Sequence, residues 1–319
     1  MTGTRKTEFT LVRRVAQLTP VGEPTTASRL TLLGTRREKT VEGKLHGTLL
    51  TRPLFVAALY LVLTAMAETA TVGVVAPGPD GWRFLVRPNA ALAIGLHALL
   101  LVSLVTHASM IRRLNPELAR LLVAFGPVPI LRIVSLTSPL IQFTSLQWFG
   151  VISVILYSGI VTAIKLLQPD LRTIGLRLPA ARDLPLEAGV VALGLGFGWL
   201  EYRILRPSAF VSKLTLGEVI PAVVVLYVAT GLLEELLFRG LLQKYATDAL
   251  GRGVGIVLVT LTFAVLHAGW QSWLDVLFVG SVGLIYSLVV LRTKSILGVS
   301  LSHGITNSML FIFMPFLAG

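Results

Sequence analysis

The chain has no cysteine among its 319 residues. That alone excludes disulfides, zinc–thiolate centres and cysteine nucleophiles. Charge is also scarce. Asp, Glu, Lys and Arg make up 14% of the residues, against about 25% in an average soluble domain. Acids are the scarcer sign, 16 against 28 Lys and Arg, for a net charge of +12. Short-period repeats, an H-E-x-x-H zinc motif and a secretory signal at the start are all missing. What is abundant is apolar: 54% of the residues are hydrophobic and mean hydropathy is +0.79. These values point to a protein built for the bilayer. The basic residues sit in short loops between apolar runs, a pattern of membrane orientation rather than of nucleic-acid binding.

A spanning helix needs about 20 mostly apolar residues. Eight or nine candidates are found, roughly at 54–76, 89–111, 118–140, 146–167, 186–205, 217–241, 253–271, 273–291 and 295–317. The third is the weakest. Pro127, Pro129 and Arg132 predict a kinked or partly re-entrant segment there. The expected fold is an all-α, polytopic transmembrane bundle. Residues 1–52, with ten Lys and Arg against four acids, read as a poorly ordered basic cytoplasmic tail that touches anionic lipid or only fixes orientation. Residues 53–167 form the N-terminal helices, 168–185 a cytoplasmic loop, and 186–317 the helical core of interest. Arg112, Arg113, Arg120, Arg172, Arg177, Arg182, Lys244, Arg252, Arg292 and Lys294 fall on one side, with the tail. The opposite loop at 138–146 and the turn near Trp270–Trp273 are uncharged, and 201–213 is the exception. The positive-inside rule then predicts a multi-pass cell-membrane protein with a cytoplasmic N-terminus.

Ionisable groups inside spans cost on the order of 2.5–3.5 kcal/mol each. In the first half only Glu68, His97 and His107 stand out, and each reads as a packing or interfacial group. The last third is different. It holds Glu234, Glu235 and Arg239 in one apolar helix, Phe263 and His267 in the next, and His303 and Asn307 in the last. Glu235 and Arg239 are four apart with the acid first, the favoured order for an ion pair on one helix face. Glu234 points about 100° away and is left without a local partner. Gly251-Arg252-Gly253 reads as the turn of a helical hairpin. Glu234 lies 17 residues before Gly251 and His267 lies 16 after it, which sets the two at one height. His303 and Asn307 are four apart and share a face.

A carboxylate beside an imidazole in a dry pocket can take a proton from water. Asn and His can donate to the oxyanion of a tetrahedral intermediate. Together they suit amide hydrolysis by activated water. A zinc-bound version would use Glu234, His267 and His303. The structural alternative is a polar network that only locks helices together.

The three motifs resemble those of the CAAX prenyl endopeptidase and bacteriocin-processing group, also called the Abi family, which carries E-E-x-x-x-R, F-x-x-x-H and H-x-x-x-N on three helices. All positions match in the family's order, as Glu234, Glu235 and Arg239, then Phe263 and His267, then His303 and Asn307. The resemblance covers roughly residues 170–317. It implies a bundle with a conical, cavity-type site and a glutamate-dependent intramembrane endopeptidase. Glu234 would activate water with His267, and His303 and Asn307 would form the oxyanion site. Glu235, Arg239 and Phe263 would support the geometry. The implied cofactor is none, although the family is often labelled metalloprotease. The implied partners are the lipid bilayer and a membrane peptide or protein substrate, either prenylated or a peptide precursor. Two readings from other classes are a non-catalytic scaffold or immunity protein on the same fold and a membrane transporter. A transporter predicts inverted repeats, which the two halves do not show. A serine protease fits poorly, because Gly280-Ser281-Val282-Gly283 departs from the rhomboid order.

Overall fold

The computed structural model describes residues 47–78, 81–86, 88–138 and 143–318. The basic tail expected over 1–52 therefore lies outside the described residues as far as residue 46. Among the described residues nine helices are long and apolar enough to cross a membrane. They are α1 (Pro53–Val72), α2 (Ala90–Ile111), α3 (Pro116–Thr137), α4 (Ser145–Leu167), α5 (Ala181–Leu205), α6 (Leu216–Leu250), α7 (Arg252–Trp270), α8 (Trp273–Thr293) and α9 (Leu297–Leu317). The chain is thus a polytopic helical membrane bundle.

Local chemistry sets the helix ends. Pro53 starts α1, where a missing N–H is harmless. Asn89 and Asn115 cap α2 and α3 by accepting from Leu92 N and Leu118 N. Thr144 and Gln147 form a reciprocal capping box at α4. The first span was expected to reach residue 76, and the structure shortens it. The helix stops at Gly73, whose φ of 76° lies in the left-handed region. The chain then enters an antiparallel hairpin of β1 (Val74–Gly78) and β2 (Gly81–Val86). Consecutive β-branched valines favour a strand over a helix end there.

The doubtful third span is helical and kinked, as its prolines predict. It divides into Pro116–Phe125 and Pro127–Thr137. Gly126 N donates to Val123 O at 3.1 Å in a tightened turn, and Pro127 has no N–H to continue the ladder.

α6 is the centre of the bundle. Leu233, Leu237, Phe238, Leu241 and Leu242 are among its fully buried side chains, as expected of a helix apolar on every face. It runs for 35 residues, or about 52 Å at 1.5 Å per residue. That exceeds a hydrocarbon core of about 30 Å. Its last turns, with the Lys244–Asp248 ion pair, are accordingly polar. The backbone of α6 widens into π turns at Tyr227–Leu232 and Leu236–Leu242, on either side of Leu233–Glu235. Such turns often mark functional positions.

α9 is clamped between α5 and α6 by missing side chains. A Cβ at Gly231 would lie 2.6 Å from Ser300 O and 2.8 Å from Gly304 N. A Cβ at Gly194 or Gly198 would lie 2.5 Å from Ser302 O or 2.4 Å from Thr306 O. Close backbone approach through small residues is the usual route to tight helix packing in lipid. Here it sets α9 against the Glu234–Glu235 turn.

Gly231→Ala is therefore expected to force α6 and α9 apart and destabilise the protein by about 1–3 kcal/mol, the range for overpacking. Gly253 meets nothing within 4 Å of an added Cβ, and Gly253→Ala should be neutral or better. Thermal unfolding in detergent compares the two.

Candidate active site

Glu235 is fully buried and accepts from Arg239 Nη1 at 2.9 Å, the i,i+4 ion pair expected from sequence. The same oxygen, Oε1, lies 2.8 Å from His303 Nδ1 on α9. A carboxylate already paired with a guanidinium has no proton to donate. His303 Nδ1 therefore carries the hydrogen, and Nε2 is directed to the other side. There it stands 4.0 Å from Glu234 Oε2. Adjacent glutamates thus meet opposite faces of one imidazole.

Arg239 has no hydrogen-bond partner for Nε or Nη2 among the described residues. Its guanidinium instead lies over the Phe263 ring at 4.2 Å, a cation–π contact strengthened by the lack of water. This gives the motif phenylalanine a physical task. Gly283 leaves the space, since a Cβ there would sit 2.8 Å from Arg239 Nη2 and 3.0 Å from the Phe263 ring. Phe263 also orients the next motif residue. Its carbonyl accepts from His267 Nδ1 at 2.9 Å. A carbonyl can only accept, so the hydrogen is on Nδ1 and His267 Nε2 keeps a lone pair.

Asn307 Nδ2 donates to Thr230 Oγ1 at 2.8 Å. The Thr230 hydroxyl donates to Leu226 O, so towards Asn307 it can only accept. That fixes the amide with nitrogen towards α6 and leaves a second N–H to use. Thr230 was not singled out in the sequence, although it lies one turn before Glu234 on the same helix.

Glu234, His267, His303, Asn307 and Thr230 all line one cavity of about 500 Å³, within the usual size of ligand pockets. The height match inferred for Glu234 and His267 thus corresponds to a shared cavity wall. Sequence reasoning also did not place Arg132, Glu201 and Tyr286 at the site, and all three line the cavity. Arg132 comes from α3. It donates to Glu68 Oε1 at 2.6 Å and to Leu266 O, the carbonyl just before His267. Glu68 also stands 3.4 Å from His97 Nε2. Two of the packing groups of the first half are therefore the anchor of a cavity arginine. His107 is held by Tyr60 Oη and Leu50 O. No spacing rule links Glu68 to Arg132, because the pair is 64 residues apart.

Tyr286 donates to Ser302 Oγ at 2.8 Å, and Ser302 donates to Val190 O at 2.7 Å. Ser308 and Ser281 bond back to their own helices, at Gly304 O and Leu277 O. These serines are occupied structurally. Among the described residues no three His, Asp or Glu side chains gather as a metal-holding set.

Fold and site define a polytopic membrane protein with an acid, two imidazoles and an amide facing one cavity. Residues 216–309 match the family model described as Rce1-like: Type II CAAX prenyl endopeptidase Rce1-like. The resemblance carried by the three motifs is shown over that segment, which is less than a third of the chain and contains all seven motif residues. Arg132 and Glu201 lie outside it. No curated protein and no solved structure gives a match.

The geometry separates the two glutamates by stability. Glu235→Gln leaves the buried Arg239 without its charge partner, a change that costs about 3–5 kcal/mol. Glu234→Gln removes no such partner and should stay within about 1 kcal/mol of the parent. Melting of the two variants in the same detergent distinguishes them.

Proposed function

We propose that the protein is an intramembrane endopeptidase that hydrolyses a peptide bond with water activated by Glu234 and His267. The observation that carries this reading is the division of hydrogen bonds at the site. Glu235 Oε1 is taken up by Arg239 Nη1 and His303 Nδ1. Glu234 and His267 Nε2 are left as acceptors on the cavity wall. A water placed between two acceptors donates both hydrogens and turns a lone pair outward, the arrangement a nucleophile needs.

In the reaction the water oxygen bonds to the scissile carbonyl carbon while Glu234 takes a proton. The carbonyl oxygen becomes an oxyanion. The second Nδ2 hydrogen of Asn307 stabilises it, as does His303 with a proton on Nε2. Glu234 then passes its proton to the amide nitrogen, the C–N bond breaks, and the resulting acid gives its remaining proton to the amine, so a carboxylate and an ammonium leave. Glu235 and Arg239 touch no reacting atom in this scheme and act by positioning His303. The match to a protease family supports peptidase chemistry in general. The substrate in this reading is a peptide segment of a membrane protein or peptide. An apolar cavity wall that includes Leu131, Ile152, Phe278 and Val279 suits such a segment.

Glu234→Gln should lower cleavage by at least 10²-fold, the usual contribution of a general base. Asn307→Ala should lower kcat by about 10²–10³ with KM little changed, as for loss of one oxyanion donor. Cleavage should survive strong chelators. Full activity of Glu234→Gln, or loss on chelation with recovery on added zinc, would refute the scheme. Peptide cleavage by purified protein and variants measures all of this.

A further inference from the structure

We infer that the cavity opens on the non-cytoplasmic side of the membrane, so its substrate is a translocated, membrane-associated peptide rather than a prenylated C-terminus on the cytoplasmic leaflet. The inference rests on the peptidase reading for the word substrate, but its geometry stands apart from that reading.

Consecutive spans alternate in direction, so each helix end belongs to one of two faces. One face carries the α2–α3, α4–α5, α6–α7 and α8–α9 connections. These are tied together there, with Ile296 N donating to Gly175 O at 3.0 Å and Ser295 Oγ to Arg177 O at 2.8 Å. The other face carries the hairpin and the α3–α4, α5–α6 and α7–α8 connections. It is tied by Phe210 N to Phe311 O at 2.9 Å and by Gln271 Nε2 to Val72 O at 3.3 Å.

The cavity reaches from the second face's side into the middle of the bundle, and no residue of the first face's connections lines it. α4 and α8 start at that face, and their lining runs from Ser145 to Leu156 at the middle of α4 and from Phe278 to Tyr286 just past the middle of α8. α3, α5, α7 and α9 end at it and contribute Ser135, Glu201, Trp270 and Phe311 from their second halves, with His303 and Thr306 of α9 lying deeper. The exposed residues Gly269 and Trp270 lie at its rim. Towards the first face it is closed by Phe238, Phe263 and Tyr286, with Arg239 packed against their rings at 5.9, 4.2 and 5.6 Å.

Charge assigns the faces. From Arg52 onward the chain has nineteen Lys and Arg. Among the described residues twelve lie at the closed face, in its connections or the adjoining helix turns, and four at the open face; Arg132 and Arg239 are inside the bundle. Short cytoplasmic loops hold the excess of basic residues. The closed face is therefore cytoplasmic, and the mouth is on the opposite side. Prenylated C-termini, often with polybasic neighbours, are drawn to the anionic cytoplasmic leaflet. They would face the aromatic floor rather than the mouth.

The lack of cysteine makes the test clean. Gly269→Cys sits at the mouth, where an added Cβ meets only Arg132 at 3.9 Å. Gly253→Cys sits at the closed face in open space. In intact cells a membrane-impermeant maleimide should label Gly269→Cys, and should label Gly253→Cys only after permeabilisation. The reverse pattern, labelling of both in intact cells, or no labelling of Gly269→Cys under any condition would overturn the inference. This readout needs no catalysis, so an inactive enzyme with the expected labelling would count against the peptidase reading alone. Terminal-peptide proteomics of parent and Glu234→Gln cells then names the substrate side. Uncut translocated precursors are expected to accumulate in the variant. Accumulation of uncut prenylated cytoplasmic C-termini would overturn the inference.

Discussion

The Glu235–Arg239 ion pair has to be complete before the rest of the site can exist. Both side chains are buried in the middle of the bundle, where an uncompensated charge costs several kcal/mol. Because each neutralises the other within one helix turn, α6 can carry them into the apolar core. The carboxylate has capacity left, and it uses that capacity to hold His303. The guanidinium has a face left, and it covers Phe263. Phe263 in turn holds His267 through its carbonyl. Two imidazoles on two different helices are thus oriented from a single ion pair. Glu234, one residue away, stands 4.0 Å from His303 Nε2 without a hydrogen bond to it and remains available at the cavity.

Such an arrangement needs α5, α6 and α9 closer than ordinary side chains allow. Gly231, Gly194 and Gly198 supply the space. Lipid tails are as apolar as leucine, so helix contact in a membrane is gained through van der Waals fit and polar pairing rather than through expulsion of water. The glycine contacts and the Glu235–His303 bond therefore depend on each other. One brings the backbones together, and the other makes that position specific. Burial on this scale also explains why the cavity has a floor. The aromatic layer beneath Glu234 separates it from the basic end of the bundle.

Much of the site was legible because its logic is local. The i,i+4 spacing of Glu235 and Arg239, the turn at Gly251 and the shared face of His303 and Asn307 all follow from helix geometry, and each has its counterpart in the structure. The nine spans followed from apolar length, and Pro127 marked the kink. Tertiary contacts were not legible. Arg132 was seen only as a flaw in a weak span, because its partner Glu68 is remote in sequence. Thr230 was passed over because a threonine in an apolar helix usually bonds back to its own backbone, as Thr230 also does. Glu201 and Tyr286 belong to no motif, and only folding brings them to the cavity. The overlong first span shows the complementary error. Val74, Val75 and Ala76 are apolar enough for a helix, but Gly73 turns the chain out of it.

The central claim is that one ion pair sets the imidazoles so that Glu234 and His267 Nε2 are left as acceptors at the cavity. Nitrogen-15 spectroscopy of the histidine rings in the intact protein tests it most directly, since only five histidines are present. The account expects His267 protonated at Nδ1 with Nε2 bare, and His303 Nδ1 protonated and hydrogen-bonded. Replacing Glu235 with Gln should perturb His303 first. A His267 ring protonated at Nε2 with Nδ1 bare, or a His303 signal indifferent to Glu235→Gln, would contradict it.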